Sequence, residues 1–454
     1  MKPPKPAARP DKISLWRYLR LFRQDILSAQ PERLYRAWMA EFRTPFFRSY
    51  LINQPDLVRE VLRERPSDFP KSDRIAEGLR PLLGKSVFLT NGEVWKRQRR
   101  IIDPAFQGGR LRDTFPAMLA AGQAAVARLE ATVGAVEIEA ETSHFAADVI
   151  FRTLFSIPIE DEVAQQVFAG FRKYQRSQPI LNLGAFVSLP RWLPRLHRRQ
   201  TISSAIELRQ LIIQLTEERM AAIDAGNAPD DLSTKIMTTV DPETGERFGV
   251  NEMVDQVAIF FLAGHETSAS ALAWALYLLA IYPDAQRRVA LEAEAFCERP
   301  DFGNLSKLTF TRNVFREALR LYPPVPMMVR ETQKVEHFRD RVLPKGSQIV
   351  VSPWHLHRHE RLWDRPDVFD PDRYETEPGM QCMREAFIPF SAGPRVCPGA
   401  GFAMLEGPLM LALLVGKFNF EAIESKTPVP TAHLTVRSSG GIWLTHQKRV
   451  DSVH

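Results

Sequence analysis

The sequence predicts one large, mainly α fold with small β sheets, on three observations. A long stretch from Asn251 to Tyr282 is apolar nearly all round, helical patterns dominate from about Arg110 to about Ala225, and short strand-like runs occur at both ends of the chain. Composition agrees: of 454 residues, 44% are apolar and 25% charged, enough to build a sizeable core. No segment reads as a flexible linker, so residues 51–454 are expected to form a single domain preceded by a basic tail and leading helices over residues 1–50.

The opening MKPPKPAARPDK is basic and rich in proline, and no nearby apolar stretch is long enough for a signal peptide or membrane anchor. A cytoplasmic protein without stable membrane insertion is the expectation. In ISLWRYLRLFRQDIL, Leu15, Leu19, Phe22 and Ile26 fall on one helical face with arginines beside it. A surface helix packed on its own domain is favoured there, and an interfacial membrane helix is the alternative. Next, SYLIN (Ser49 to Asn53) reads as a strand before the helical QPDLVREVLRERP. The helical region further on is broken by Leu189-Pro190-Arg191-Trp192-Leu193-Pro194, a loop.

The long Asn251–Tyr282 helix ends before Pro283, because a residue preceding proline avoids the helical region. Its apolar surface belongs inside a protein: His265 and Glu266 near its centre, with Glu252 and Asp255 near its start, would be penalised in lipid. After Pro323-Pro324 the chain turns mixed, with the strand-like QIVVS, and a last helix is expected from Gly399 to about Gly416.

Function classes are narrowed in the same way. Three cysteines, Cys297, Cys382 and Cys397, are too few for a disulfide framework and form no Cys-x-x-Cys pair. A net charge of +6 is too modest to imply nucleic acid and better suits an acidic protein partner. His355, His357 and His359 alternate and would share one face of a strand, but without a nearby cysteine or spaced carboxylate they read as packed or surface residues, not metal ligands.

Chemistry concentrates in PFSAGPRVCPGAGFAMLEG, Pro389 to Gly407. Cys397 precedes Pro398 and a helical run, which places its sulfur at a helix N-terminus, where free N–H groups favour a thiolate. Gly393 and Gly399 remove side chains on either side, leaving room for a flat macrocycle. The segment resembles the haem-binding signature of the cytochrome P450 family, Phe-x-x-Gly-x-Arg-x-Cys-x-Gly, met by Phe390, Gly393, Arg395, Cys397 and Gly399.

The resemblance implies haem b, iron ligation by Cys397, and the family's triangular fold with haem between the long central helix and the helix after the cysteine. Within the central helix, Ala263-Gly264-His265-Glu266-Thr267 places a carboxylate and a hydroxyl in an apolar segment. Threonine can bond back one turn and Gly264 weakens the helix, which suggests a local opening. By resemblance, Ala263 lies against the haem, and Glu266 with Thr267 is the acid–alcohol pair that delivers protons. Trp95 and Arg99, at i and i+4, match the family's propionate-binding helix, and Arg330 and Arg395 match two further propionate positions. Glu317, Arg320 and Arg373 match a structural triad.

The activity implied is monooxygenation of a hydrophobic small molecule, since a thiolate ligand favours O–O cleavage. The chain shows no flavin or nicotinamide fingerprint and no iron–sulfur cysteine set, so separate redox proteins must supply electrons. A ferredoxin with its reductase is expected, docking near Lys96, Arg97 and Arg100 on a monomeric enzyme. Peroxide-driven enzymes and isomerases of this fold have less need of the Glu266–Thr267 pair, and a non-catalytic haem sensor would need an output module that the sequence does not offer. Phe88, Phe186, Phe260, Met327 and Met328 are candidates for an apolar substrate lining.

Overall fold

In the computed structural model, which describes residues 2–43, 48–107, 109–177 and 199–449, the central helix runs over Val250–Ile281. At its start, the Glu252 carboxylate accepts the Gly249 N–H at 3.2 Å, and Pro283 opens the next helix. Most of its side chains are buried, including Trp274, Leu276 and Leu278. It packs along Ile138–Phe155, with Phe151 and Phe261 4.5 Å apart between ring centres. A side chain at Gly264 would collide with the tip of Ile150, so glycine is there to let these two helices approach. The helix is continuous through Gly264. The local opening expected at Gly264 does not form; close packing, not a break, is what that glycine provides.

Helices Phe115–Glu130, Glu162–Ser177 and Arg199–Asp224 occupy the middle of the chain as expected. The anticipated loop at 189–194, and Phe186, lie outside the described residues. The last helix, Ala400–Lys417, packs on Pro283–Glu298 and on the central helix, and its Gly407 admits the ring of Phe315. This is one helix, among the described residues, long and apolar enough to cross a membrane, yet Leu409 to Leu414 are buried inside the protein.

One mixed sheet has the strand order Met39–Arg43, Arg48–Ile52, Gln348–Val351, Met328–Glu331. Its parallel pair joins Arg48–Ile52 to Gln348–Val351, with Leu51 opposite Val350, and thereby ties the early strands to a segment some 300 residues later. The boundary expected at residue 50 falls inside this strand. Nor is the opening tail free: Lys5 pairs with Asp367 at 3.2 Å, and the Tyr322 hydroxyl donates to the Pro4 carbonyl at 2.9 Å. Residues 2–43 and 48–50 are therefore part of the same packed body.

The expected triad forms. The Glu317 carboxylate, fully buried on helix Thr309–Leu321, accepts from Arg320 at 2.7 and 2.8 Å, Arg373 at 3.0 Å, the Tyr374 hydroxyl at 3.0 Å and the Asp370 N–H at 3.0 Å. Burial alone would raise this carboxyl, but the two guanidinium groups outweigh it and hold it below the ordinary range. The three alternating histidines lie on a short helix and the turn after it, not on a strand, and are all buried. They serve different partners: His355 Nδ1 meets the Ser352 hydroxyl, His357 Nε2 accepts the Ile388 N–H, and His359 stacks on Trp38.

Candidate functional site

Cys397 sits three residues ahead of the helix Ala400–Lys417, in a loop closed by its own N–H on the Phe390 carbonyl at 2.9 Å. Its side chain is accessible, yet burial pushes its thiol above the ordinary range, with the Gly399 N–H and the Arg99 guanidinium pulling the other way. The Gly399 N–H at the start of the helix and the Arg99 guanidinium thus favour the thiolate, against the burial that opposes it.

The two signature glycines have different reasons. Gly393 has φ +69°, and a Cβ there would strike the Leu62 carbonyl, so its task is to let the cysteine loop pack on that backbone. At Gly399 a Cβ would lie 3.9 Å from the Cys397 sulfur, so the surface beside the sulfur is kept bare there. Phe390 is half-buried against the main core and anchors the loop.

Four cations gather next to this loop. Arg99 donates to the Val396 carbonyl at 2.7 Å and to Asp103 at 2.6 Å. Arg395 donates to the Pro66 carbonyl at 2.6 Å and lies 5.1 Å from the Trp95 ring centre, while its buried Nε has no hydrogen-bond partner. Arg330, 7% exposed on its edge strand, is pushed down to about 10 by burial and by Arg395. Lys71 completes the group, 5.8 Å from the Trp95 ring centre, its amine pushed well below the ordinary range by burial and by Arg330, Arg395 and Arg99. Among the described residues no carboxylate pairs with Lys71, Arg330 or Arg395. Arg330 is buried and the others half-buried; the Lys71 amine donates to the Val87 carbonyl at 2.6 Å, and a positive cluster with so few carboxylates suits an anion. Lys71 escaped sequence reasoning because SDFPKSDR carries no motif; only folding sets it against Trp95.

On the central helix, Ala263 is exposed and Thr267 half-buried amid buried neighbours, one turn apart on the same strip. The Thr267 hydroxyl donates to the Ala263 carbonyl at 2.5 Å, the back-bond expected of it. Glu266 faces elsewhere: its carboxylate accepts the Thr435 hydroxyl at 2.7 Å and pairs with Arg437 at 2.9 Å, both from the hairpin Val429–Ala432 with Val436–Ser439. The acid and the alcohol are neighbours in sequence but make no direct hydrogen bond. Neither Thr435 nor Arg437 belongs to any motif that could have announced it.

One further residue joins the site's two helices. The Ser268 hydroxyl, next to Thr267, donates to Glu406 on the cysteine helix at 2.6 Å, with both residues buried. Glu406 has no cation partner among the described residues, and burial raises its carboxyl to about 8.

Comparison with known proteins fits this arrangement. Residues 35–446 match the family model described as cytochrome P450. The chain belongs to the cytochrome P450 family. It is 32% identical over 400 residues to cyclooctatin synthase of Streptomyces melanosporofaciens, covering 85% of this chain and 84% of that protein. It is 30% identical over 401 residues to a cytokinin hydroxylase of Arabidopsis thaliana, covering 87% and 77%. A solved cytochrome P450DA haem domain shares the fold with a TM-score of 0.82 at 24% identity, covering 98% of both chains.

This P450 is a monooxygenase, with the family's need for haem, redox partners and hydrophobic substrates. The residues present fit haem: an exposed cysteine, a bare glycine beside its sulfur, and a cluster of cations with an orphaned guanidinium nitrogen where a porphyrin's carboxylates would be neutralised. The docking surface expected near Lys96, Arg97 and Arg100 fits less well. Arg97 pairs with Glu252 at 2.7 Å, Arg100 with Asp241 at 2.6 Å and Glu243 at 3.0 Å, and Lys96 with Glu93 at 2.8 Å. Those charges are largely spent within the chain.

Proposed function

We propose that this P450 inserts one oxygen atom from O2 into an apolar small organic molecule, by C–H hydroxylation or oxidative O-dealkylation, in the cytoplasm and as a monomer, with electrons from a ferredoxin and its reductase. Haem b, bound through Cys397, supplies the oxygen-activating chemistry. Arg99, Arg330 and Arg395, joined by Lys71, would neutralise the porphyrin's carboxylates, Trp95 would offer them its indole N–H, and Phe390, Gly393 and Gly399 would shape the cysteine loop that holds the group. Ala263 keeps the distal surface low. Thr267 would hold a hydroxyl at the oxygen-binding side, and Glu266 would have to turn away from Thr435 and Arg437 to relay a proton to it.

The observation that carries this reading is an exposed Cys397 together with Ala263 and Thr267 left accessible on an otherwise buried helix. An apolar substrate suits the lining: Phe88 is partly exposed, and Val325, Met327 and Met328 are half-buried. Relatives whose names denote a hydroxylase or monooxygenase support the same reaction class.

The test is turnover of an apolar compound panel, terpenoid, fatty acid and aromatic, with ferredoxin, its reductase and a nicotinamide reductant under 18O2. Hydroxylated product carrying a single 18O atom is the expected result, or carbonyl release for an O-alkyl substrate. Conversion driven by added peroxide alone, with none under 18O2 and reductant, would overturn it.

A further inference from the structure

The helix Leu15–Gln24 carries side chains that the enzyme's chemistry does not use. It is fixed at both ends. Ser14 accepts the Arg17 N–H at 3.3 Å, and after the last turn the Asp25 carboxylate accepts the Ala432 N–H at 2.8 Å while the Ile26 N–H donates to the Ala432 carbonyl at 3.0 Å. Between these anchors, none of its ten residues is buried, although six are leucine, tryptophan, tyrosine or phenylalanine. Tyr18 and Phe22, one turn apart, lie 5.7 Å from each other, and Arg9 covers Tyr18 at 5.6 Å.

The outer face is different in kind. Trp16 is 84% exposed and Leu15 43%. Arg20 and Arg23 follow Trp16 at i+4 and i+7, so they flank the indole on the same face, and Arg17 stands beside them. All three arginines are exposed, the helix contains no acidic residue, and no carboxylate among the described residues pairs with any of the three. The helix was expected to bury its apolar face on its own domain, and it does so only in part.

An aqueous surface gives no reason to hold an indole and leucine out among unpaired guanidinium groups. A bilayer interface does: the indole rests at headgroup depth, and each guanidinium forks onto a phosphate. An acidic protein would meet the same charge, but such partners anchor aromatics in pockets within a broad interface, whereas here the aromatic stands on one short convex helix. We propose that the face formed by Leu15, Trp16, Arg17, Arg20 and Arg23 docks this P450 peripherally on anionic phospholipid membranes, the helix lying in the headgroup plane.

The test is co-sedimentation of the haem-loaded full chain with vesicles of phosphatidylglycerol and phosphatidylcholine, beside vesicles of phosphatidylcholine alone. The chain should pellet with the anionic vesicles, release as salt rises, and shift its tryptophan emission to the blue. Substituting Arg17, Arg20 and Arg23 together by Gln should lower partitioning roughly 100-fold, at about fivefold for each arginine. Trp16→Ser should remove most of the blue shift, and both variants should retain the wild-type reduced carbon monoxide spectrum, which excludes misfolding. Three results overturn the proposal: no binding to anionic vesicles, binding equal in the triple variant, or loss of electron transfer from an acidic redox protein in that variant while vesicle binding is unchanged.

Discussion

Replacing Glu406 by Gln should make this P450 more stable at alkaline pH and leave it unchanged in acid. In the folded protein burial raises the Glu406 carboxyl from 4.5 to about 8, and its hydrogen-bond partner is the Ser268 hydroxyl. The folded chain therefore keeps a proton that the unfolded chain has lost throughout that interval, so stability falls as pH rises from about 4.5 to about 8. At about 1.4 kcal/mol per pH unit, the whole interval is worth up to about 5 kcal/mol. Glutamine fills the same volume, still accepts from Ser268 and cannot ionise. Urea unfolding of both proteins, followed by circular dichroism at a series of pH values, isolates the effect, because every other titrating group is common to the two. The curves should meet near pH 4.5 and diverge progressively towards pH 8, the variant being the more stable. A difference that stays flat with pH would refute the assignment of Glu406 as a neutral acid.

Glu317→Ala should strand two buried guanidinium groups, Arg320 and Arg373, at a cost of about 3–5 kcal/mol, read as a lower urea midpoint and poor recovery of folded protein. Gly393→Ala forces a side chain into a left-handed turn and against the Leu62 carbonyl, so the purified variant should carry far less haem per chain than the wild type, measured by pyridine haemochrome. Lys71→Leu should ease the crowding of cations in the haem-free protein, raising its thermal midpoint, while weakening haem retention in a competition with apomyoglobin. In the dithionite-reduced, carbon-monoxide-bound difference spectrum, the wild type should show a red-shifted Soret band that Cys397→Ala loses.

The chemistry of this protein was legible in its sequence wherever function demands fixed residue types at short spacing. Phe390 to Gly399 is one loop, so its spacing survives folding, and Glu317 with Arg320 occupy one helical face whatever surrounds them. The long apolar run ending before Pro283 read as a core helix because His265 and Glu266 near its centre would be penalised in lipid. Periodicity could not show what stands across a gap in the chain. Lys71 joins Arg330 and Arg395 only because residues far apart in sequence are folded together around Trp95. Arg437 and Thr435 claim Glu266 from a hairpin some 170 residues later, so an acid and an alcohol adjacent in sequence face different surroundings. Gly264 read as a weak point and proved to be a packing contact, since the neighbour that requires it, Ile150, lies on another helix. Local sequence thus determined which groups can ligate and which segments coil. Tertiary structure alone decided which charges are left without partners, because burial and long-range pairing are properties of the folded surroundings and not of the residue.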